Sequence, residues 1–437
     1  MGSMVQASMK GIIFPLIFLS AWILLSFESV PTASVELEHD DWPMFRHDPA
    51  HTGFSFFSAP TTNQTLWKYA TKGEVWSSPA VVDGVVCVGS FDRNIYALNA
   101  STGIVIWSFL TGGEVYSSPA ISQGIIYFGS FDHCVYALNA SNGLQLWKFT
   151  TGGKVFSSPT IASGTVYFGS DDRFVYALQA QTGDLLWSYE TGDTVQSSPA
   201  FSDGVVYVGS NDTNVYAFNA TTGAKVWMFP TGNYVTSSPA VVNGVVYVGS
   251  FDNNTYALDA ATGALRWNLS TGYDICMQSS PAVHGDLVYT GSSNLQSFTS
   301  SGFIGAATDD DVYSINATTG VATWNYTING GVWSSPAASN AMIYVGSGNN
   351  KLYALDVSTG AFRWSYETEG AIYSSPAFAG GVIYVGSADN KIYAIGLPPP
   401  VDTGWPTITY LAFVLVVAVV VLGAVITLLF FKRRRQL

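Results

Sequence analysis

The sequence predicts an all-β protein, an eight-bladed β-propeller of four-stranded antiparallel blades. Its ring is closed by the N-terminal strand, and a C-terminal transmembrane helix follows. Three observations carry this reading. A tryptophan recurs 40 residues apart at Trp67, Trp107, Trp147, Trp187, Trp227 and Trp267, and returns after one longer gap at Trp324 and Trp364. A Ser-Ser-Pro triplet follows each tryptophan, ending at Pro79, Pro119, Pro159, Pro199, Pro239, Pro281, Pro336 and Pro376. A Gly-Ser pair and a tyrosine, from Gly89-Ser90 and Tyr96 to Gly386-Ser387 and Tyr393, complete each copy. A fixed period of this kind sets the whole fold.

Within each copy the four strands follow from turn chemistry. Asn243-Gly244, Asp83-Gly84, Asp203-Gly204 and Gly380-Gly381 are tight hairpin signals, because both turn positions want positive φ. Ala220–Gly223 places a glycine where a left-handed residue closes the third turn. Strands so rich in Val, Tyr and Ile and so poor in charge must be buried on both faces, which stacked blades provide. The array opens on Trp67 with no blade before it and ends at Ile395 after a third strand. Leu66–Ala70 therefore supplies the missing outer strand of the last blade, hiding both edges.

Outside the repeats, Gly11–Phe27 is apolar, follows Lys10 and precedes small residues near Ala33, so residues 1–33 read as a signal peptide, with an uncleaved anchor as the alternative. Residues 34–64 form a spacer and a latch segment, in which Asp41–Gly53 (DWPMFRHDPAHTG) belongs to no repeat and is expected to pack against the propeller. The propeller covers 65–396 and a Pro-rich linker 397–407. Residues 408–431 are uncharged and long enough to span a bilayer, and the basic tail 432–437 places the C-terminus in the cytoplasm. The expected location is thus the cell membrane, single-pass, with the propeller extracellular.

Formal charge is −13, and residues 34–405 carry 12 basic against 29 acidic side chains. That balance disfavours nucleic acid. Cys87, Cys134 and Cys276 form no metal or disulfide pattern, and Cys87 stands where other blades have tyrosine. Asn-X-Ser/Thr sequons at Asn63, Asn99, Asn139, Asn211, Asn219, Asn253, Asn268, Asn316 and Asn325 are candidate glycosylation sites in an exported chain, although Asn-Ala-Ser/Thr is also turn chemistry.

The repeat pattern Val-Tyr-Val-Gly-Ser-Xaa-Asp followed by Val-Tyr-Ala-Leu-Asn-Ala-Xaa-Thr-Gly and Trp resembles the pyrroloquinoline-quinone-type (PQQ-like) propeller repeat, over about residues 41–396. That family includes quinoprotein dehydrogenases and the outer-membrane assembly factor BamB. The resemblance implies an eight-bladed ring whose eight repeated tryptophans dock adjacent blades. It also raises a quinone-dependent oxidoreductase with calcium in the channel. The family's enzymes carry adjacent cysteines and long loops over the channel; here no two cysteines are adjacent. BamB-like proteins are lipoproteins, and no cysteine precedes Cys87.

Several residues compete for function. Asp92, Asp132, Asp172, Asp212, Asp252, Asp309 and Asp389, with Asn349, occupy one position in the eight blades, as turn caps or as cation ligands. Trp76, Tyr116, Phe156, Trp333 and Tyr373, with Gln196, Thr236 and Gln278, precede the Ser-Ser-Pro triplets and are expected around the channel mouth. They either pack between blades or stack a flat ligand or sugar. His47 and His51 are a candidate metal pair that the surrounding prolines oppose. Blade 6 carries about 15 extra residues between Gly291 and Asp309 and a longer entry loop. Tyr273, Asp274, Leu295, Phe298, Phe303 and Ile304 are therefore the candidate partner-binding residues. No nucleophile motif is present. The expected function is non-catalytic binding or scaffolding of a protein or envelope partner, with no cofactor; the alternatives are the PQQ- and calcium-dependent oxidoreductase and a self-associating envelope component.

Overall fold

A computed structural model describes residues 41–57, 60–271, 279–293, 298–299, 302–303 and 310–396. The expected signal peptide, the linker, the 408–431 segment and the basic tail lie outside the described residues. Among the described residues no helix is long and apolar enough to cross a membrane.

The repeats fold into eight four-stranded antiparallel sheets. Blade 1 comprises Ala80–Val82, Val85–Gly89, Asn94–Asn99 and Val105–Leu110, paired in chain order. The middle two strands are almost wholly buried, as their unbroken apolar sequences require. The turn between the first two strands holds Asp83 at φ 51° and Gly84 at φ 73°, so both positions take the left-handed conformation. Blade 8 is built from Ala377–Ala379, Val382–Ser387, Lys391–Gly396 and, as its outer strand, Thr65–Ala70. The N-terminal strand therefore closes the ring, with Lys68 opposite Tyr393.

The outer tryptophans cross between blades. Trp147 Nε1 donates to the Ala180 carbonyl of the next blade at 2.9 Å, and the same bond runs from Trp67 to Ala100, Trp107 to Ala140, Trp187 to Ala220, Trp227 to Ala260 and Trp267 to Ala317. Each indole lies against a turn glycine: a Cβ on Gly183 would come 2.7 Å from Trp147 Cδ2. That glycine (φ 78°) is thus fixed twice, by backbone conformation and by the ring pressed on it. A tyrosine on the second strand reinforces the joint. Tyr127 Oη donates to the same Ala180 carbonyl at 3.2 Å. Cys87, fully buried, leaves blade 1 without that second donor.

The short inner strands face the ring axis. The turns after the first and third strands share one rim, since Ala100 N donates to Gly84 O. The entry loops and the loops after second strands share the opposite rim, where Lys72 N donates to Asp92 Oδ2. In blade 6 the extra residues include a two-stranded ladder, Phe298–Thr299 against Gly302–Phe303, with Phe298 opposite Phe303.

Candidate functional site: a plugged axis and an aromatic cup

The innermost strands leave main-chain donors pointing at the axis, and the latch segment satisfies them. Carbonyls of Trp42, Pro43, Pro49, Ala50, Thr52 and Gly53 accept N–H groups from Val81, Ile121, Phe201, Val241, Val283 and Ala338 at 2.6–2.8 Å. The segment thereby crosses blades 1, 2, 4, 5, 6 and 7. Arg46 is its anchor, 2% exposed. Its guanidinium donates to the Pro336 carbonyl through Nη1 and to the Pro281 carbonyl through Nη2 (2.7 Å). Burial pulls its pKa down to about 9, against the pull of Asp48. Gly53 (φ 62°) makes room for this anchor: a Cβ there would lie 2.1 Å from Arg46 Nη2 and would displace the guanidinium.

His51 Nε2 lies 2.9 Å from Thr160 Oγ1, and Thr160 gives its own proton to the Pro199 carbonyl (2.5 Å). The histidine therefore donates through Nε2. Thr160 replaces the alanine that follows Ser-Ser-Pro in the other blades, which is the sequence trace of this contact. His47 instead faces Asp48 at 3.4 Å and packs edge-on to Trp42. Positive φ at Arg46, His47 and His51 removes the helical spacing a metal pair would need.

Above the plug runs a belt that the sequence did not reveal. The main-chain N–H of Ser78 donates to Ser118 Oγ in the next blade at 2.9 Å. The same bond passes from Ser118 to Ser158, Ser198, Ser238, Ser280, Ser335 and Ser375, and from Ser375 back to Ser78, at 2.9–3.0 Å. The first serine works both within and between blades: Ser77 Oγ accepts from Gly89 N at 3.0 Å and donates to the Ser117 carbonyl of the next blade at 3.1 Å. The only sequence signal was the invariance of both serines.

The belt and Phe45 of the plug form the floor of a cup of about 200 Å³. Its wall is the set of residues before Ser-Ser-Pro. Trp333, Tyr373, Trp76, Tyr116 and Phe156 form one arc over blades 7, 8, 1, 2 and 3, with successive ring centroids 5.0, 4.3, 5.9 and 5.2 Å apart. Gln196 and Thr236 continue the wall as a polar arc, while Gln278 lies outside the described residues. The indoles are held from behind. Trp76 Nε1 donates to Glu74 Oε2 (2.5 Å) and Trp333 Nε1 to Ser293 Oγ (2.6 Å). Gln196 Nε2 donates to Asp171 Oδ1 at 3.1 Å, and burial raises the pKa of that carboxyl.

The repeated aspartates are occupied by the fold. Asp92 Oδ2 accepts from Lys72 N (2.9 Å) and Tyr96 Oη (2.7 Å), and Oδ1 from Asn94 N (3.0 Å). Burial opposes ionisation there, but these donors together hold its pKa below the usual carboxylate value. Asp132, Asp172, Asp212, Asp252 and Asp389 receive the matching tyrosine hydroxyl. Asn349 caps its loop by donating to the Asn329 carbonyl and Tyr353 Oη. Asp309 lies outside the described residues. Among those described, no cluster of three or more metal-type ligands occurs.

Of the sequons, Asn99, Asn139, Asn219 and Asn316 sit on third-strand turns and cap them through Oδ1. Asn63, Asn211, Asn268 and Asn325 donate through Nδ2 to Ser365, Thr194, Asn254 and Asp311. Asn253 occupies a left-handed loop position, φ 72°. Tyr273, Asp274, Leu295, Ile304 and Cys276 lie outside the described residues, and Phe298 and Phe303 are placed only as ladder partners.

The geometry defines an eight-bladed propeller with a sealed axis and a cup at one rim. Residues 57–118, 112–198, 191–331 and 308–397 match the family described as outer membrane protein assembly factor BamB, and the chain belongs to that family. No curated protein matches it by sequence. Among solved structures, BamB from Moraxella catarrhalis is similar at 18% identity and a TM-score of 0.64, covering 77% of this chain and 100% of that one. A europium-containing methanol dehydrogenase is similar at 14% identity and a TM-score of 0.69, covering 82% and 98%. A quinohemoprotein alcohol dehydrogenase from Comamonas testosteroni follows at 16% identity and 0.66, covering 82% and 80%. At these identities the likeness is one of fold.

Proposed function

We propose that this chain is a non-catalytic binding module of the cell envelope, tethered by its C-terminal apolar segment with the propeller outside the cell. The observation that carries the reading is where the chain leaves the ring. Gly396 N donates to Gln64 O, and a Cβ on Gly396 would lie 2.6 Å from the carbonyl of Gly381, a turn residue between first and second strands. Entry and exit thus share the rim opposite the cup. A linker of about eleven residues from there to a membrane span holds that rim toward the bilayer and presents the cup outward. The acidic, lysine-poor propeller fits exposure to medium rather than to anionic lipid or nucleic acid. Some of the nine sequons would then be glycosylated; Asn99, Asn139, Asn219 and Asn316 also cap their turns through Oδ1.

The PQQ-like repeat raises a quinone and calcium at the axis, and the described donor set does not fit them. Calcium takes six to eight oxygens, carboxylates prominent among them. The described lining is aromatic rings, serines, Gln196 and Thr236, with no carboxylate for the ion and no cation for a quinone's carboxylates.

Two measurements test the proposal. An impermeant amine reagent on intact cells is expected to label the propeller, while a tag after Leu437 is reached only on permeabilisation; the reverse pattern overturns the topology. Purified chain with pyrroloquinoline quinone, calcium and an artificial electron acceptor is expected to show no turnover with alcohols or sugars. Turnover would replace a binding module by an enzyme.

A further inference from the structure

We infer that the cup binds a neutral pyranose sugar, stacked on the aromatic arc and hydrogen-bonded by the polar arc and floor. The inference deepens the reading of the cup as the outward, ligand-facing end, and it rests on that reading.

Three features of the cup point to this chemistry. The wall is divided: five rings in unbroken succession from Trp333 to Phe156, then Gln196 and Thr236. A pyranose is divided in the same way, with a C–H face that packs on π-systems and a rim of hydroxyls. The floor adds hydrogen-bond donors. Each belt serine accepts a main-chain N–H through Oγ, is at least 94% buried, and among the described residues gives its own proton to no protein group. Eight hydroxyl protons therefore remain for a guest or for water. Finally, the described lining carries no charged side chain, which disfavours an ionic ligand. The volume, about 200 Å³, equals that of roughly seven waters in the liquid at ~30 Å³ each, a space on the scale of one sugar ring.

The rings are not there to make the fold. Blades 4 and 5 keep the same inner strand and the same belt bonds with Gln196 and Thr236 at the position. The blade-to-blade hydrogen bonds come from other residues, the belt serines and the outer tryptophans. The rings are also set in advance: Glu74 and Ser293 hold the two indoles, and Phe91 stacks on Trp76 at 5.2 Å and 28°. A rigid aromatic face costs little to organise on binding.

The test uses the full chain from a host without N-glycosylation, in a zwitterionic detergent free of sugar headgroups. Methyl glucoside, mannoside and galactoside are titrated, with choline as the cationic competitor, by tryptophan fluorescence and saturation-transfer NMR. At least one glycoside is expected to saturate at millimolar concentration or below. Its dissociation constant should rise tenfold or more in Trp76→Ala, Trp333→Ala and Gln196→Ala, and stay unchanged in Trp364→Phe on an outer strand. Should an indole deletion fail to fold, Gln196→Ala and Tyr373→Leu carry the same comparison. No saturable glycoside, binding indifferent to the variants of the cup wall, or preference for choline would each overturn the assignment. The topology assay fails separately: an intracellular propeller that still bound a glycoside would sink the outward display and keep the cup.

Discussion

Ser375 gives its backbone N–H to the hydroxyl of Ser78, 297 residues earlier and one blade on around the ring, at 2.9 Å. This bond closes the serine belt just as Thr65–Ala70 closes the last blade at the perimeter. Both partners are buried, so the acceptor cannot be replaced by water at no cost. Ser78→Ala should leave the Ser375 amide unsatisfied and destabilise the protein by about 1–3 kcal/mol. Ser198→Ala, in the middle of the chain, should cost the same, because a ring has no end. Urea unfolding followed by tryptophan fluorescence checks both; a negligible cost at Ser78 alone would mean that the belt is open at the seam.

The tryptophans are not equivalent, although the sequence makes them look so. Trp147 Nε1 has the Ala180 carbonyl at 2.9 Å, whereas Trp324 Nε1 is buried with no acceptor among the described residues. Phenylalanine keeps most of the apolar contact and removes the N–H. Trp147→Phe should therefore be more destabilising than Trp324→Phe by about 1–2 kcal/mol. Equal losses would show that ring packing alone sets the cost.

The contrast marks what the sequence could convey. Blade number, strand order and the closing strand were legible because each rests on a period, on Gly-containing turns, or on Trp67 having no blade before it. The residues before Ser-Ser-Pro were legible as the wall of the cup, Gln278 aside, since residues before an inner strand lie at its mouth. The belt was not legible: Ser78 and Ser118 are bonded 40 residues apart, and no local propensity records a contact between equivalent positions of two copies. The path of the plug was hidden for the opposite reason. Asp41–Gly53 occurs once, and its bonds to the inner strands run mostly through its main-chain carbonyls, which carry no side-chain signature. Only Thr160, the odd residue after Ser-Ser-Pro, hinted at a partner.

Cys87 sits on the second strand of blade 1, fully buried, and burial pushes its thiol pKa up to about 12. The thiolate is the reactive species, so the native protein should protect this residue. Reaction of Cys87 with a maleimide at pH 8 should be at least a hundredfold slower in native protein than in urea, read by mass spectrometry of the Cys87 peptide. Fast native labelling would show that blade 1 opens locally, at the joint that lacks the second-strand tyrosine.

His51 ties the plug to pH. Enclosed in the axis, it has its pKa lowered by burial from 6.5 to about 3. The folded protein therefore keeps His51 neutral down to about pH 3, while the unfolded chain takes up its proton below about 6.5. Between these values the unfolded state binds more protons, so stability rises with pH. The contribution is complete above about pH 6.5 and is lost as pH falls toward 3, with a ceiling of roughly 5 kcal/mol from the span of the shift. Carboxylates titrate in the same window, so the informative quantity is the difference from His51→Gln, whose amide Nε2–H is placed to bond Thr160 in place of the ring. Between pH 7.5 and 4 the wild type should lose several kcal/mol more than the variant in urea unfolding. Parallel pH profiles would mean that His51 reaches solvent, and that the plug does not seal the axis.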